Sequence, residues 1–330
     1  MLNDMHVLIT GATGFVGEQL CHHLLSLGYH VTATGRKENF TIKHERLRYI
    51  CIENIDGNTN WHDALQGIHT VVHLAARVHH MNDKGMAALK AYQEVNVKGT
   101  EQLAKAAIAH QVKRFIYIST VKVIAEKTIE TPLRAEDRPL PTDAYSLSKL
   151  QAELILQEQA KRSGMQWVII RPPLVYGPNV KGNFSRLISL ANTMLPLPLG
   201  ALKNRRSLVS VYNLCSFIEC TLSHPNAVNQ VFLVSDNDDL STSQLLRLLR
   251  FTLGKRANLI PVPALLLRWL GFLLGKSKEI SRVVDSLQLN IEKSMRLLSW
   301  RPPHTVQRSL EAFLSKDRPS DLINISSEAS

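Results

Sequence analysis

The sequence predicts an α/β fold: a doubly wound parallel sheet with a smaller, mostly helical C-terminal domain. Three observations predict it. Short apolar runs of strand length alternate with helical patterns through the first half, the first run ends in a glycine-rich turn, and prolines break the rhythm after Arg171. In order, the runs are HVLIT (6–10), HVTAT (30–34), LRYICI (47–52), TVVHLA (70–75), RFIYIS (114–119) and QWVIIR (166–171). They are β-branched and apolar on both faces, as strands covered by helices on both sides must be. Helical patterns fill 15–27, 87–110 and 143–162 between them, and such alternation builds a parallel sheet. Beyond Arg171, Pro172, Pro173, Pro178, Pro196 and Pro198 interrupt the pattern. QVFLVS (230–235) then reads as a strand returning to the main sheet, with helices near 241–253, 262–275 and 291–298. The expected division is a sheet domain over 1–176, with return segments near 207–236, and a second domain over 177–330. The last residues, 316–330, lack apolar periodicity and read as a loose tail.

An apolar fraction of 45% with 20% charged residues over 330 residues indicates a well-buried core. The net charge of +11 is scattered, with no basic run longer than pieces such as Lys203-Asn204-Arg205-Arg206. That scatter favours phosphorylated small molecules over nucleic acid as partners. Cys21, Cys51, Cys215 and Cys220 form no C-x-x-C pair and no metal-ligand spacing, so they read as reduced core thiols of a cytoplasmic protein without zinc. Strand-like sequence begins within five residues of the start and no signal-peptide pattern precedes it. No apolar run reaches the roughly 18 residues of a membrane span. PALLLRWLGFLLGK (263–276) comes closest; its length and internal Arg268 favour a buried or partner-facing helix over a membrane-surface one.

LITGATGFVGEQL places Gly11, Gly14 and Gly17 between the first strand and the first helix. Glycines there permit a tight turn, close backbone approach to a pyrophosphate and close helix packing, while the helix N-terminus offers unpaired N–H donors. This is the phosphate cradle of a Rossmann-like dinucleotide fold. The second strand then ends in Gly35, where an acidic partner for a ribose 2′-hydroxyl is expected, followed by Arg36 and Lys37. A glycine leaves room for a 2′-phosphate and Arg36 offers it a charge-assisted bond, so NADP(H) is favoured, with NAD(H) as the alternative.

PTDAYSLSKLQAE puts Tyr145 and Lys149 four apart at the start of a helix, on one face. A phenol with a pKa of about 10 needs nearby positive charge to act as acid or base near neutrality, and Lys149 can supply it. IYISTVKV ends the preceding strand and presents Ser119 and Thr120 at the sheet's carboxyl edge.

With these pieces in hand the chain resembles the extended short-chain dehydrogenase/reductase superfamily of sugar-nucleotide epimerases, dehydratases and reductases. The matching pieces are GATGFVG, HLAAR (73–77), NVKGT (96–100), IST (118–120), YSLSK (145–149), RPPLVYGP (171–178), RSLVSV (206–211) and the closing LLSWRPP, spanning about residues 5 to 310. HLAARVHHMND, RPPLVYGPNVKGNFSRLI, LPLPLGALKNRRSLV and FLVSDNDDLST look like the branch of UDP-4-keto-6-deoxy-N-acetylglucosamine 4-reductases. That branch makes UDP-N-acetylquinovosamine or UDP-N-acetylfucosamine for bacterial surface polysaccharides.

The resemblance implies Tyr145 as proton donor, Lys149 as the residue that tunes it and binds the nicotinamide ribose, and Thr120 as the hydroxyl bonded to the C4 oxygen, with Ser119 its neighbour. It implies a cofactor bed of Gly11, Thr13, Gly14, Phe15, Val16 and Gly17, then Arg36, Asn54 and Ile55, then Leu74, Ala75, Ala76 and Arg77, and finally Pro172. Asn54 departs from the family's usual adenine-binding Asp, though an amide can still bond the adenine amine. Asn96 is expected to position a helix. Asn183, Arg206 and Arg282 are implied for the UDP portion, and Lys122 and Arg77 are candidates for the sugar. No metal is implied.

NADPH-dependent reduction of a C4 ketone is therefore the expected reaction, because a reductase must exchange its cofactor with the reduced cellular pool. The alternative is a UDP-sugar 4-epimerase, which uses the same Tyr145 and Thr120 and keeps its NAD. A 4,6-dehydratase usually carries acidic residues directly after the Thr, where this chain has Val121 and Lys122. Non-catalytic relatives lose the Tyr or Lys, and this chain keeps both. A homodimer through the helices at 87–110 and 143–162 would suit the fold.

Overall fold

The computed structural model describes residues 4–78 and 85–314. Its strands are β1 (His6–Thr10), β2 (His30–Gly35), β3 (Leu47–Cys51), β4 (Thr70–His73), β5 (Arg114–Ile118), β6 (Gln166–Arg171), β7 (Leu174–Tyr176), β8 (Leu208–Ser210) and β9 (Gln230–Leu233). The helices in the first half are α1 (Phe15–Ser26), α2 (His62–Leu65), α3 (Gly85–Tyr92), α4 (Gly99–Ala109) and α5 (Ala144–Ser163). The second half adds α6 (Asn183–Asn192), α7 (Val211–Ser223), α8 (Thr242–Thr252), α9 (Ala264–Leu273), α10 (Ser277–Val284), α11 (Glu292–Leu298) and α12 (Val306–Leu314).

A seven-stranded sheet has the order β3-β2-β1-β4-β5-β6-β9, and its pairings are parallel throughout. The register pairs Val7 with both Val31 and Val71's neighbour Thr70, and Phe115 with Trp167. Strand order reverses between β1 and β4, which opens a crevice at their carboxyl ends where such sheets bind ligands. The expected return of 230–235 to the sheet is realised by β9, which pairs with β6 at the edge. β7 and β8 form a separate two-stranded parallel sheet.

Because side chains alternate along a strand, each strand feeds two cores. Val7 and Ile9 point to the face covered by Leu20, Leu24, Leu214 and Phe217 of α1 and α7. Leu8, Val71, Phe115 and Ile169 point to the other face, under Leu103, Ala107, Ala152 and Leu156 of α4 and α5. Outside the sheet, Phe184, Leu246, Leu249 and Leu310 centre a third cluster joining α6, α8 and α12. α5 starts where the sequence placed it: Asp143 accepts from the Ser146 amide in a reciprocal capping box, and Gly164 closes the helix with φ 77°.

Three expectations need correction. The helix expected over 87–110 is interrupted by a π-helical segment, Gln93–Lys98, between α3 and α4. The extra residue in that turn lets buried Asn96 reach across to another segment, a contact that periodicity does not encode. Among the cysteines, Cys21 and Cys215 are buried and Cys220 half-buried, but Cys51 is exposed, because β3 is an edge strand and its last residue faces outward. The apolar stretch 263–276 is not buried: α9 hides Leu267 and Gly271 and leaves most of its other side chains in solvent. The expected loose tail, 316–330, lies outside the described residues.

Candidate active site

The expected cofactor residues gather along the carboxyl edge of the sheet: Gly11–Gly17 after β1, Arg36 after β2, Asn54 and Ile55 after β3, Leu74–Arg77 after β4, Ser119 and Thr120 after β5, and Pro172 after β6. Gly11 has φ 70°, and a Cβ on it would lie 2.9 Å from the Cα and N of Ala75. A Cβ on Gly17 would lie 2.3 Å from the Gly11 carbonyl oxygen. The glycines are thus demanded by a turn packed against the β4 loop and by the first turn of α1 folded over it. Gly14 caps α1 with extended backbone and no side chain to take up the first amides. Phe15, Val16 and Gly17 therefore present N–H groups without intrahelical acceptors at the positive end of the helix. That is a cradle for a pyrophosphate, and its backbone fits a dinucleotide.

Below the cradle runs a buried polar chain. The Ala75 amide donates to Thr10 Oγ1 at 3.2 Å, Thr10 Oγ1 pairs with His73 Nδ1 at 2.6 Å, and His73 Nε2 pairs with Thr100 Oγ1 at 3.1 Å. Burial, reinforced by the charge of Lys149, lowers His73 to about 3, so the imidazole stays neutral and bridges the two threonines.

At the end of β2, a Cβ on Gly35 would lie 2.5 Å from Thr13 Cγ2 and 3.0 Å from the Tyr49 hydroxyl. Glycine is required to seat Thr13, and Tyr49 is tied down by donating to the Lys37 carbonyl. Arg36 projects from this corner and is exposed. Asn54 is also exposed, with its carbonyl accepting from Thr59 Oγ1 at 3.1 Å. Ile55 packs so closely on Gly99 that a Cβ there would lie 2.6 Å from its Cγ2.

The residues expected to transfer the proton sit over β5. Thr120 has extended backbone and caps the 3₁₀ turn Val121–Val123 by accepting from the Lys122 amide at 3.3 Å. Ser119 is buried, its amide donates to Ile170 and its hydroxyl lacks a partner among the described residues. Pro172 joins this turn, accepting from the Val121 amide at 3.0 Å. Lys149 is buried; its Nζ donates to the Ile118 carbonyl at 2.6 Å and lies 4.1 Å from the Tyr117 ring centroid. Burial brings the amine down to about 7, against the pull of Glu153. Tyr145 packs edge-on against Tyr92, ring centroids 6.1 Å apart. Burial raises its phenol above the ordinary value, and Asp143 and Tyr92 add to the rise, so it holds its proton at neutral pH.

Sequence reasoning gave Asn96 a positioning role but missed the partners through which it supports this pair. Asn96 accepts from the Arg77 amide at 2.8 Å, and its amide nitrogen donates to the Arg77 carbonyl and to Ser148 Oγ. Ser148 in turn donates to the Tyr145 carbonyl at 2.7 Å. The π-helical segment thereby ties the β4 loop to the first turn of α5, matching the positioning role expected of Asn96. Arg77 stacks over Tyr92 at 5.7 Å.

The residues expected to meet substrate are less convergent. Lys122 is engaged by Glu126 at 2.5 Å and by Asp143 at 3.2 Å, beside the start of α5. Arg206 donates to the Asp285 carbonyl at 2.9 Å, and its own amide donates to Leu240. Arg282 is exposed in the last turn of α10, three residues before Asp285, while the Asp285 carboxylate accepts from Arg268 of α9. Asp285 therefore gathers arginine side chains from separate elements, although nothing about it in the sequence stood out. Asn183 opens α6 and is exposed.

A family model described as the NAD dependent epimerase/dehydratase family matches residues 7–235. The UDP-glucose 4-epimerase of Vibrio cholerae is 43% identical over 315 residues, covering 93% of this chain and 95% of its own. The N-acetyl-alpha-D-glucosaminyl-diphospho-ditrans,octacis-undecaprenol 4-epimerase of Escherichia coli O157:H7 is 29% identical over 79% of this chain and 76% of its own. Among solved structures, UDP-glucuronic acid 4-epimerase from Bacillus cereus, in complex with UDP-glucuronic acid and NAD, superposes with a TM-score of 0.73 at 25% identity. That superposition covers 94% of this chain and 98% of the other.

Proposed function

The chain belongs to the NAD dependent epimerase/dehydratase family, and from that premise we propose that it is a UDP-sugar 4-epimerase that retains its NAD and inverts C4 of a UDP-hexose or UDP-N-acetylhexosamine. The observation that carries this reading is the near full-length likeness to a UDP-glucose 4-epimerase in a chain that keeps Thr120, Tyr145 and Lys149. It is preferred to the 4-ketoreductase expected from the sequence on the strength of that likeness.

NAD, when bound, would supply a reversible two-electron acceptor for hydride at C4. The residues of the chain handle the proton and the binding. Tyr145 takes the C4 hydroxyl proton as the ketone forms and gives it back as the hydroxyl reforms. Its raised pKa has to be offset for the first half, and the positive charge of Lys149, one helical turn away, acts in that direction. Thr120 donates its hydroxyl to the C4 oxygen, where negative charge develops. Phe15, Val16 and Gly17 hold the cofactor pyrophosphate through backbone amides. Arg206, Arg282 and Asn183 hold the UDP portion. A homodimer joined through the helices at 87–110 and 143–162, with Leu147 and Leu154 of α5 exposed, belongs to the same proposal.

A second reading rests on a specific observation: β2 ends in Gly35-Arg36 without a carboxylate, which suits NADPH and the reduction of a UDP-4-keto-6-deoxy-N-acetylhexosamine. The nucleotide released on denaturing the purified protein separates the two. NAD in near-stoichiometric amount, with C4 inversion needing no added cofactor, supports the epimerase. Protein free of nucleotide that oxidises NADPH with the 4-keto sugar overturns it.

A further inference from the structure

α9 and α10 form a helical hairpin that is anchored from one side. Leu267 of α9 packs with Leu202 and Val284, and Gly271 lets Ile280 approach so closely that a Cβ on the glycine would lie 2.6 Å from Ile280 Cγ1. The opposite face of α9 has no cover among the described residues: Leu265 is 80% exposed, Trp269 58%, Phe272 74% and Leu274 69%. Bulky side chains this exposed and this contiguous mark a binding surface.

Charge around that face is of one sign. From the loop before α9 to the end of α10 the basic residues are Lys255, Arg256, Arg268, Lys276, Lys278 and Arg282, and the only acidic residue is Glu279. Of these, Arg268 is engaged by Asp285. Lys276 and Lys278 are exposed where α9 turns into α10, beside Phe272 and Leu274. Protein–protein interfaces are depleted in lysine, whereas this face is bordered by Lys276 and Lys278. An apolar face carrying Trp, Phe and Leu with a basic border suits a flat, negatively charged apolar layer.

We propose that the outer face of α9 docks the protein on an anionic phospholipid bilayer, with Leu265, Trp269 and Phe272 entering the acyl boundary and Lys276 and Lys278 at the headgroups. The helix lies in the interface and does not cross it, in keeping with no described helix being long and apolar enough to span. Arg268 pairs with Asp285, which also accepts from Arg206, so the docked face adjoins the segment proposed to bind UDP. The inference goes beyond the catalytic reading and stands whichever C4 reaction the enzyme performs.

The test is co-sedimentation of the full-length protein with vesicles of phosphatidylcholine alone or mixed with phosphatidylglycerol, with tryptophan emission recorded in parallel. Trp61 and Trp300 are buried and Trp167 half-buried, so Trp269 dominates any shift caused by an apolar surface. The expected result is at least about tenfold stronger partitioning to the phosphatidylglycerol vesicles, weakened by salt, with a blue shift of emission. Leu265→Ser/Phe272→Ser, which keeps the Trp269 reporter, should abolish both signals, Leu265→Ser/Trp269→Ser/Phe272→Ser should abolish co-sedimentation, and both should leave turnover of soluble UDP-sugar unchanged. Lys276→Glu/Lys278→Glu, which alters exposed charge alone, should cut the partitioning severalfold. Equal or absent binding to both vesicle types overturns the proposal. So does self-association in sedimentation velocity that the triple variant removes while vesicles draw down no protein, which would assign the face to a second copy of the chain.

Discussion

Lys149 Nζ lies 4.1 Å from the centroid of the Tyr117 ring and donates to the Ile118 carbonyl, fixing the amine under the end of β5. The ring face and the carbonyl both favour the charged form, but burial outweighs them and brings the amine down to about 7 from an ordinary 10.5. Between those values the unfolded chain binds the proton and the folded chain does not. The stability contribution of Lys149 therefore rises as pH increases from about 7 toward 10.5, and its penalty is complete below about 7. Urea unfolding of the wild type and Lys149→Met should show the variant gaining relative stability at pH 6 and losing that advantage at alkaline pH, by a few kcal/mol at most. The same variant should lose about 100-fold or more in kcat/KM.

Glu153, one turn beyond Lys149 on α5, holds Arg171 through a two-pronged bond of 3.0 and 2.6 Å, with both side chains buried. Removing one partner strands the other charge. Arg171→Met should lower stability by about 3–5 kcal/mol, read as a shift of the urea midpoint, and Glu153→Gln should cost less because the amide still accepts one bond. Equal, negligible losses in both variants would show that water relieves the stranded group.

Gly17→Ala tests the cradle. Its Cβ would meet backbone at 2.3 Å, which no rotamer can relieve. The variant should purify without bound nicotinamide nucleotide and melt several degrees below the wild type, whereas Gly164→Ala, where nothing lies within 4 Å of the new Cβ, should pay only the strain of φ 77°.

Much of the sheet was legible because its strands are buried on both faces and carry uninterrupted apolar runs. The helix over 87–110 was not read correctly because its π-helical turn exists to let Asn96 bond the backbone of Arg77, a tertiary demand without periodicity. β7 and β8 are three-residue strands paired between distant segments, with Leu174 opposite Leu208, and proline-rich sequence around them hid the pairing. In the site, glycine spacing revealed the cradle and the Tyr145–Lys149 spacing revealed one helix face. The packing of Thr13 on Gly35 and the clamp of Arg206 on Asp285, 79 positions away, depend on the folded chain and left no local trace.

Thiol exposure offers a check on the edge of the sheet. Cys51 stands exposed at the end of β3, whereas burial raises Cys21 to about 12 and pushes Cys215 higher still. A thiol reagent added to the native protein should modify Cys51 first, and Cys51→Ser should remove that rapid phase. An unchanged rapid phase in the variant would assign it to half-buried Cys220 and contradict the exposure of Cys51.

The most direct test of the catalytic proposal follows deuterium placed at C4 of UDP-glucose or UDP-N-acetylglucosamine, incubated without added nicotinamide cofactor. The expected product is the C4 epimer with its deuterium still on C4, formed by the wild type and not by Tyr145→Phe. No epimer from either substrate, together with steady oxidation of added NADPH when a UDP-4-keto-6-deoxy-N-acetylhexosamine is supplied, would contradict it.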